Sequence, residues 1–293
     1  MLDFKKFTWQ DKDRYTKYFQ ASPVHYAEYS FFVLWAWLHA YPLEIAYGEN
    51  LCWLKSSGPL PGIFGPSGNW DAVTDWDAEL ANFRAGDVIY DVPEKVMNIL
   101  ASRSELRFTE DRDQHEYVYA VKDMTALKGR QYAQKRNRVR AFLDGYEWDY
   151  YPLTKNDFGD VIDFQERWRV HREDTMTHEE AESLDNEDKA IRNALDKWDE
   201  FKFSGGILKV DGKIIAYTIA QELDPENIDV MFEKAFGEYA GSYQAINYMF
   251  LKNQGANYEW ANREEDMGEP GLREAKLSYN PALMLRKYIM EIL

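Results

Sequence analysis

Apolar positions change their spacing along the chain in the same order twice. In the first pass, Tyr26, Tyr29, Val33 and Trp37 recur at helical spacing, and Ser22-Pro23 offers an N-cap and a first helical position. A helix is therefore expected over 22–40, closing before Pro42. Two strand-like runs, 43–47 and 51–55, flank Gly48-Glu49-Asn50 and read as a β-hairpin. Residues 63–64, 88–90 and 117–121 read as further strands, and 75–83 and 93–101 as helices.

The second pass begins near Asp157. Helices are expected over 157–172 and 179–201. Runs 206–210 and 213–220 then flank Asp211-Gly212, a strong short hairpin signal. A strand over 228–235 enters a glycine-containing loop and leaves as a helix over 243–253. A strand over 257–262, a short helix over 271–278 and a last strand over 283–293 complete the chain. Helix, hairpin, strand and helix occurring twice in that order argue for an internal duplication, and the alternation argues for an α/β class with mixed sheets. The expected division is an N-terminal half, 1–124, a basic connecting helix, 125–144, and a C-terminal half, 145–293, that carries the site.

Hydrophobic residues make up 45% of the 293 and aromatics 16%, enough for a sizeable core. The formal net charge of −16 excludes whole-surface attraction to nucleic acid or an anionic membrane. A polyanion must then meet a local basic patch, and one exists. Lys128, Arg130, Lys135, Arg136, Arg138 and Arg140 fall in a stretch without an acidic residue. Thr125 reads as its N-cap, Tyr132, Val139, Phe142 and Leu143 as its docked face, and Arg136 with Arg140 as a pair projecting to one side. Such a run fits a solvated face with acidic neighbours. It equally fits an anchor for phosphates of RNA, a nucleotide or lipid headgroups.

Residues 173–188 are the acidic counterpart and read as a solvated helix start or a flap. His171 and His178 lack ligand spacing, so no metal site is expected. Cys52 lies in an apolar run and reads as a small buried hydrophobe. The apolar stretch 31–38 is far too short to span a bilayer and no leader is visible, so a cytoplasmic location is expected. Oligomeric state stays open.

Two segments carry chemistry. In 229–247 a strand enters a loop with Gly237 and Gly241 and leaves as a helix. That geometry aims backbone N–H groups at an anion or carbonyl oxygen, with Ser242, Tyr243 and Gln244 in the first helical turn. Glu233, near the strand end, either pairs with a basic neighbour or orients or deprotonates an attacking amine. In 258–281, Asn262, Arg263, Glu264, Glu265 and Asp266 follow a strand at the end where α/β sheets hold ligands. Pro270 starts a helix bearing Arg273 and Lys276, with Tyr279 at its end. These charges suit an ion-pair network, structural or lining one pocket.

Phe-Glu-Lys-Ala (232–235), Tyr-Gln-Ala-Ile-Asn (243–247), Asn-Arg-Glu-Glu-Asp (262–266), Gly-Leu-Arg-Glu-Ala-Lys-Leu-Ser-Tyr-Asn-Pro (271–281) and the basic segment 127–137 resemble an uncharacterised bacterial family. Its fold is similar to the C-terminal domain of phosphatidylglycerol lysyltransferases. The resemblance spans most of the chain from about Tyr117 onward. It implies two tandem GNAT-like halves related to Fem-type aminoacyl transferases. The Lys-x-x-(Tyr/Phe)-x-Pro stretch of the lysyltransferases matches Lys276, Tyr279 and Pro281. The resemblance implies that Lys276 neutralises a donor phosphate or oxyanion, and that Tyr279 protonates the leaving group or holds the acyl carbonyl. Two departures count. The membrane-embedded region of the lysyltransferases is absent, which puts a lipid acceptor in doubt. The coenzyme A pyrophosphate pattern reads Lys234-Ala-Phe-Gly237-Glu-Tyr239 here, with Tyr239 in place of a small residue and Glu238 adding negative charge.

The leading expectation is an acyl or aminoacyl transferase. Glu233, Lys276 and Tyr279 are its catalytic candidates. Gly237, Gly241, Ser242, Tyr243 and Gln244 would bind the donor, an aminoacyl-tRNA or an acyl-coenzyme A. Asn262, Arg263, Glu264, Glu265 and Arg273 would bind a small-molecule or peptide acceptor, and the basic helix would meet tRNA. The rivals are a non-catalytic binding module that keeps the fold and an RNA-binding protein acting through 127–143.

Overall fold

The structure is a computed structural model and describes residues 2–59, 61–173 and 177–293. The chain divides into two compact units. One comprises Met1–Glu116, Glu265–Arg273 and Met284–Leu293, the other Tyr117–Glu264 and Glu274–Leu283.

The first unit contains β1 (Lys5–Lys6), α1 (Lys12–Ala21), α2 (Phe31–Ala36), β2 (Leu43–Tyr47), β3 (Leu51–Ser56), β4 (Gly62–Gly68), α3 (Trp76–Leu80), β5 (Val88–Pro93), α4 (Glu94–Leu100) and β6 (Leu106–Glu110). The chain continues with β7 (Glu116–Ala120), α5 (Val121–Ala126), α6 (Ala133–Gly145), β8 (Trp148–Pro152), α7 (Phe158–Glu173), α8 (His178–Asp196), β9 (Phe203–Val210), β10 (Lys213–Glu222), β11 (Asn227–Ala235), α9 (Ser242–Asn253), β12 (Trp260–Asn262), α10 (Pro270–Leu277), β13 (Leu283–Leu285) and β14 (Lys287–Ile292).

The strands form two seven-stranded sheets with matching topology, β1-β2-β3-β4-β5-β14-β6 and β8-β9-β10-β11-β12-β7-β13. Four strands run antiparallel in succession, then a parallel neighbour follows, β5 beside β4 and β12 beside β11. An antiparallel strand then pairs with it, β14 in the first sheet and β7 in the second. The expected duplication is present in this pattern. Its boundary differs from the expected one. The strand just after the first unit pairs in the second sheet, and the last strand of the chain pairs in the first. β7 is buried at all five positions, as suits a strand with neighbours on both sides.

Local chemistry sets the turns. Asp211 and Gly212 both adopt positive φ, 51° and 74°, the pair a tight β9–β10 hairpin needs. The expected helix start at Ser22 is corrected. Ser22 ends α1, its N–H donating to the carbonyl of Phe19, and its hydroxyl accepts from Gly68. The N-cap of α2 is Ser30, which accepts from the N–H of Val33 at 3.2 Å. Thr125 caps nothing either. Its hydroxyl donates back to Val121 inside α5, which closes on a left-handed Leu127 before α6 begins. Cys52 is fully buried, and burial pushes its thiol far above the ordinary range. Of the acidic stretch 173–188, residues 174–176 lie outside the described residues, and α8 begins at His178.

Candidate active site

The second sheet parts at its parallel pair. β11 and β12 pair only from Asn227 opposite Trp260 to Asp229 opposite Asn262, and β11 then runs on to Ala235. Beyond that point Glu233 and Arg263 meet at 2.9 Å. Asn247 of α9 donates to the other oxygen of the Glu233 carboxylate at 2.8 Å. Glu233 is therefore engaged on both oxygens, as a partner rather than as a free base.

Two rings flank the guanidinium. Arg263 Cζ lies 5.1 Å from the centre of Tyr279 and 5.9 Å from that of Tyr119, which meet edge to face. Burial works against the charge on Arg263, but Glu233, Tyr119 and Tyr279 hold its pKa above the ordinary value. Lys276 is buried, and its ammonium donates to the carbonyl of Arg263 at 2.6 Å. The Tyr119 hydroxyl donates to the carbonyl of Lys276 at 2.8 Å, which fixes the end of α10. Burial, aided by Glu233 and opposed by Arg263, pushes the Tyr279 phenol far up, so it keeps its proton at neutral pH.

Lys135 joins this cluster. It is only 7% exposed, and its Nζ stands 4.0 Å from the centre of the Tyr279 ring. Burial and the cations Arg263 and Arg138 lower its pKa to about 8. A signal for this inward position exists in the sequence, because Tyr132, Lys135, Val139 and Phe142 share one helical face. Tyr119 and Asn247 are two further members that residue-by-residue reading missed.

Other expected residues are placed differently. Gly241 has φ 88°, and a side chain there would collide with the carbonyl of Arg138. Its glycine thus permits α9 to approach α6. Gly237 faces open space on the side where a Cβ would point. Ser242 turns inward and donates to Phe236 at 2.8 Å, while Tyr243 packs against the α6–α9 core and Gln244 is half-buried. Asn262 accepts from the N–H of Glu264, whose φ is 57°. The Glu233 cluster belongs to the second unit, and Glu265 and Arg273 to the first. There Arg273 forks onto buried Asp266 at 2.6 and 2.9 Å and also reaches Asp113. The expected single basic helix over 125–144 is corrected, because Lys128 and Arg130 lie in the non-helical link between α5 and α6 and are exposed, while on α6 Arg138 and Arg140 are exposed and Lys135 is buried. Arg136 is turned back onto the carbonyls of Leu127 and Gly129. The expected projecting pair of Arg136 and Arg140 is thereby corrected, since carbonyls left over at the end of α5 take the guanidinium.

A second buried cluster lies in the first unit. Lys287 is fully buried and pairs with Glu28 at 2.7 Å and Glu116 at 3.3 Å. Glu116 also accepts from the N–H groups of Ala27 and Glu28. Asp91, with φ 53°, and Glu265 add negative potential around it. Among the described residues no group of histidine, cysteine and carboxylate side chains is arranged to hold a metal ion. No helix among them is long and apolar enough to cross a membrane.

The family described as phosphatidylglycerol lysyltransferase, C-terminal, matches residues 20–291. A conserved protein of unknown function from Bacteroides thetaiotaomicron is 30% identical, with 100% of both chains covered and a TM-score of 0.86. A domain named as the C-terminal part of a lysylphosphatidylglycerol synthetase from Agrobacterium fabrum gives 14% identity and a TM-score of 0.66, covering 97% of this chain and 92% of that one. FemX gives 11% identity and a TM-score of 0.64 over 100% and 98%. These likenesses give the fold as two tandem GNAT-like halves. An uncharacterised protein of Mycoplasmoides gallisepticum is 23% identical over 60% of this chain, and the match spans 56% of that relative's length.

Proposed function

Because the chain belongs to the phosphatidylglycerol lysyltransferase C-terminal family, we propose that it is an acyl or aminoacyl transferase of the lysyltransferase or Fem type. Its donor is an aminoacyl-tRNA or an acyl thioester, and its acceptor an amine or hydroxyl. The observation that carries this reading is the convergence of Arg263, Lys276 and Tyr279 where β11 and β12 diverge.

In the reaction, the acceptor's nitrogen or oxygen attacks the acyl carbon. A new amide or ester bond forms as the donor's ester or thioester bond breaks, and the acceptor's proton leaves with the departing hydroxyl or thiol. Negative charge develops on the carbonyl oxygen. The protonated Tyr279 phenol and the Lys276 ammonium supply hydrogen bonds for it, and the low-dielectric surroundings strengthen them. Glu233 and Asn247 hold Arg263 in position. The remaining work is proximity. Tyr239 packs on Tyr146 at 5.4 Å, in the loop where coenzyme A binding calls for a small residue. That favours aminoacyl-tRNA as donor, with exposed Lys128, Arg130, Arg138 and Arg140 meeting its phosphates.

The test offers the protein aminoacyl-tRNA and acyl-coenzyme A in parallel, with Lys276→Ala and Tyr279→Phe beside the wild type. Each variant is expected to lose on the order of a hundredfold in rate. Wild-type rates in both variants would sink the assignment. Absence of transfer and of thermal stabilisation by either donor would favour the non-catalytic module.

A further inference from the structure

Acyl transfer needs a group that takes the acceptor's proton, and the side chains gathered at Tyr279 differ in their fitness for it. Glu233 accepts from Arg263 on one carboxylate oxygen and from Asn247 on the other. Arg263 keeps its charge. The Tyr279 phenol keeps its proton, and the Lys276 ammonium donates to the carbonyl of Arg263. Of these side chains Lys135 remains. It is more than nine-tenths buried, and its Nζ stands 4.0 Å from the centre of the Tyr279 ring. The charged groups acting on it are two cations, Arg138 on its own helix and Arg263 beyond β12. The helix packed on α6 is α9, which brings Tyr243, Tyr248 and Lys252 and no carboxylate. Burial and the two cations make the ammonium form costly, and the ring face returns only part of that cost.

We infer that Lys135 is the proton relay of the transfer. As the acceptor's nitrogen or oxygen bonds to the acyl carbon, the neutral Lys135 amine takes its proton. As the donor's ester or thioester bond breaks, the ammonium so formed gives that proton to the departing oxygen or sulfur. The amine is regenerated and no further reactant is consumed. The relay rests on the transferase reading and adds to it the residue that moves the proton. Its placement fits that work. The Tyr279 phenol supplies a hydrogen bond to the acyl oxygen, and Lys135 stands over the same ring. An acyl carbon held there has the amine as a neighbour, directly or through one water. Lys135 titrates at about 8, so it both takes up and gives up a proton near neutral pH.

Two measurements test the relay. In the first, competitive labelling of the full chain with acetic anhydride, read by mass spectrometry, follows the ionisation of each lysine. Lys135 is expected to label with a midpoint of about 8, below the ordinary lysine value. A midpoint at the ordinary value, or no labelling at any pH, overturns the relay, because the amine is then charged or out of reach. In the second, transfer from pooled aminoacyl-tRNA and from acetyl-coenzyme A to glycerol and to ethanolamine is followed against pH. Lys135→Arg keeps a charge that cannot be removed, and Lys135→Met has none. Both are expected to lose on the order of a hundredfold in kcat/KM, together with the inflection that the wild type shows. Titration of the substrates is common to all three proteins, so the difference between profiles reads Lys135. Circular dichroism checks that each variant is folded. Wild-type rates in a folded variant overturn the relay while the transferase reading stands. A lowered rate with the inflection still in place makes Lys135 a structural residue and overturns the relay as well. Absence of transfer by the wild type removes the transferase reading and the relay with it.

Discussion

The two buried clusters are opposites in charge, and each unit settles its own by different means. In the first unit a single lysine, Lys287, sits among Glu28, Glu116, Asp91 and Glu265. In the second, the carboxylate Glu233 pairs with Arg263, and Lys135 lies over the Tyr279 ring. Surplus carboxyls can be neutralised by protons within reach of neutral pH. Burial and neighbouring acids raise Glu28, and burial lifts Asp91 to about 6. Lys135, by contrast, at about 8 stays mostly charged at pH 7. The comparison separates a network whose charges answer one another from one that holds a buried cation against an aromatic face. The sharpest way to break it is a pair of substitutions. Lys287→Met strands Glu28 and Glu116 without their cation and is expected to cost on the order of 3–5 kcal/mol. Lys135→Met removes an unpaired buried charge and should be neutral or stabilising by about 1 kcal/mol. Urea unfolding followed by circular dichroism reads both. Equal losses would show that the clusters are not different in kind.

The next largest effect concerns how the second unit builds its site. α9 carries Asn247 to Glu233, and α6 carries Lys135 to Tyr279. Their approach passes over Gly241, whose positive φ and contact with the Arg138 carbonyl exclude a side chain. Gly241→Ala should cost roughly 2–3 kcal/mol through strain and overpacking. An unchanged unfolding midpoint would remove the claim that this glycine sets the site.

The sequence made part of this legible, and the rest follows from what local pattern leaves out. Hairpins at 43–55 and 206–220 were readable because strand period and turn residues agree. Glu233, Arg263, Lys276 and Tyr279 were readable as charged or polar groups where a sheet meets a helix. α1 was missed because its core face amounts to Tyr15 and Phe19 within a charged stretch. β6 reads as Leu-Arg-Phe-Thr-Glu and lies at a sheet edge, where apolar period is weak. β14 was seen as part of a strand, but its sheet is decided by pairing with Val92 and Phe108, partners distant in the chain. Lys135 was read with its basic neighbours as one run, either a solvated face or an anchor for phosphates. Charge counted along a run says nothing of facing, and only its phase with Val139 and Phe142 does.

The smallest effect tests whether protons do settle the first unit's surplus. Asp91 has a folded pKa of about 6 against an ordinary 3.8. The folded state therefore binds this proton more tightly than the unfolded state does. Above pH 6 the ionised group destabilises the fold, and the penalty is relieved as pH falls from about 6 toward 4. Asp91→Asn mimics the protonated form, and asparagine tolerates the positive φ found at this position. The variant should be more stable than the wild type by on the order of 1–2 kcal/mol at pH 7.5, with the advantage fading by pH 4. Taking the difference between the two proteins cancels His115, whose pKa is lowered chiefly by burial and whose own contribution runs the other way with pH. Lys287 titrates far above this window and contributes equally at both ends. Should the advantage instead grow on acidification, Asp91 would be acting as a needed counter-charge to Lys287, and the contrast between the clusters would have to be redrawn around that ion pair.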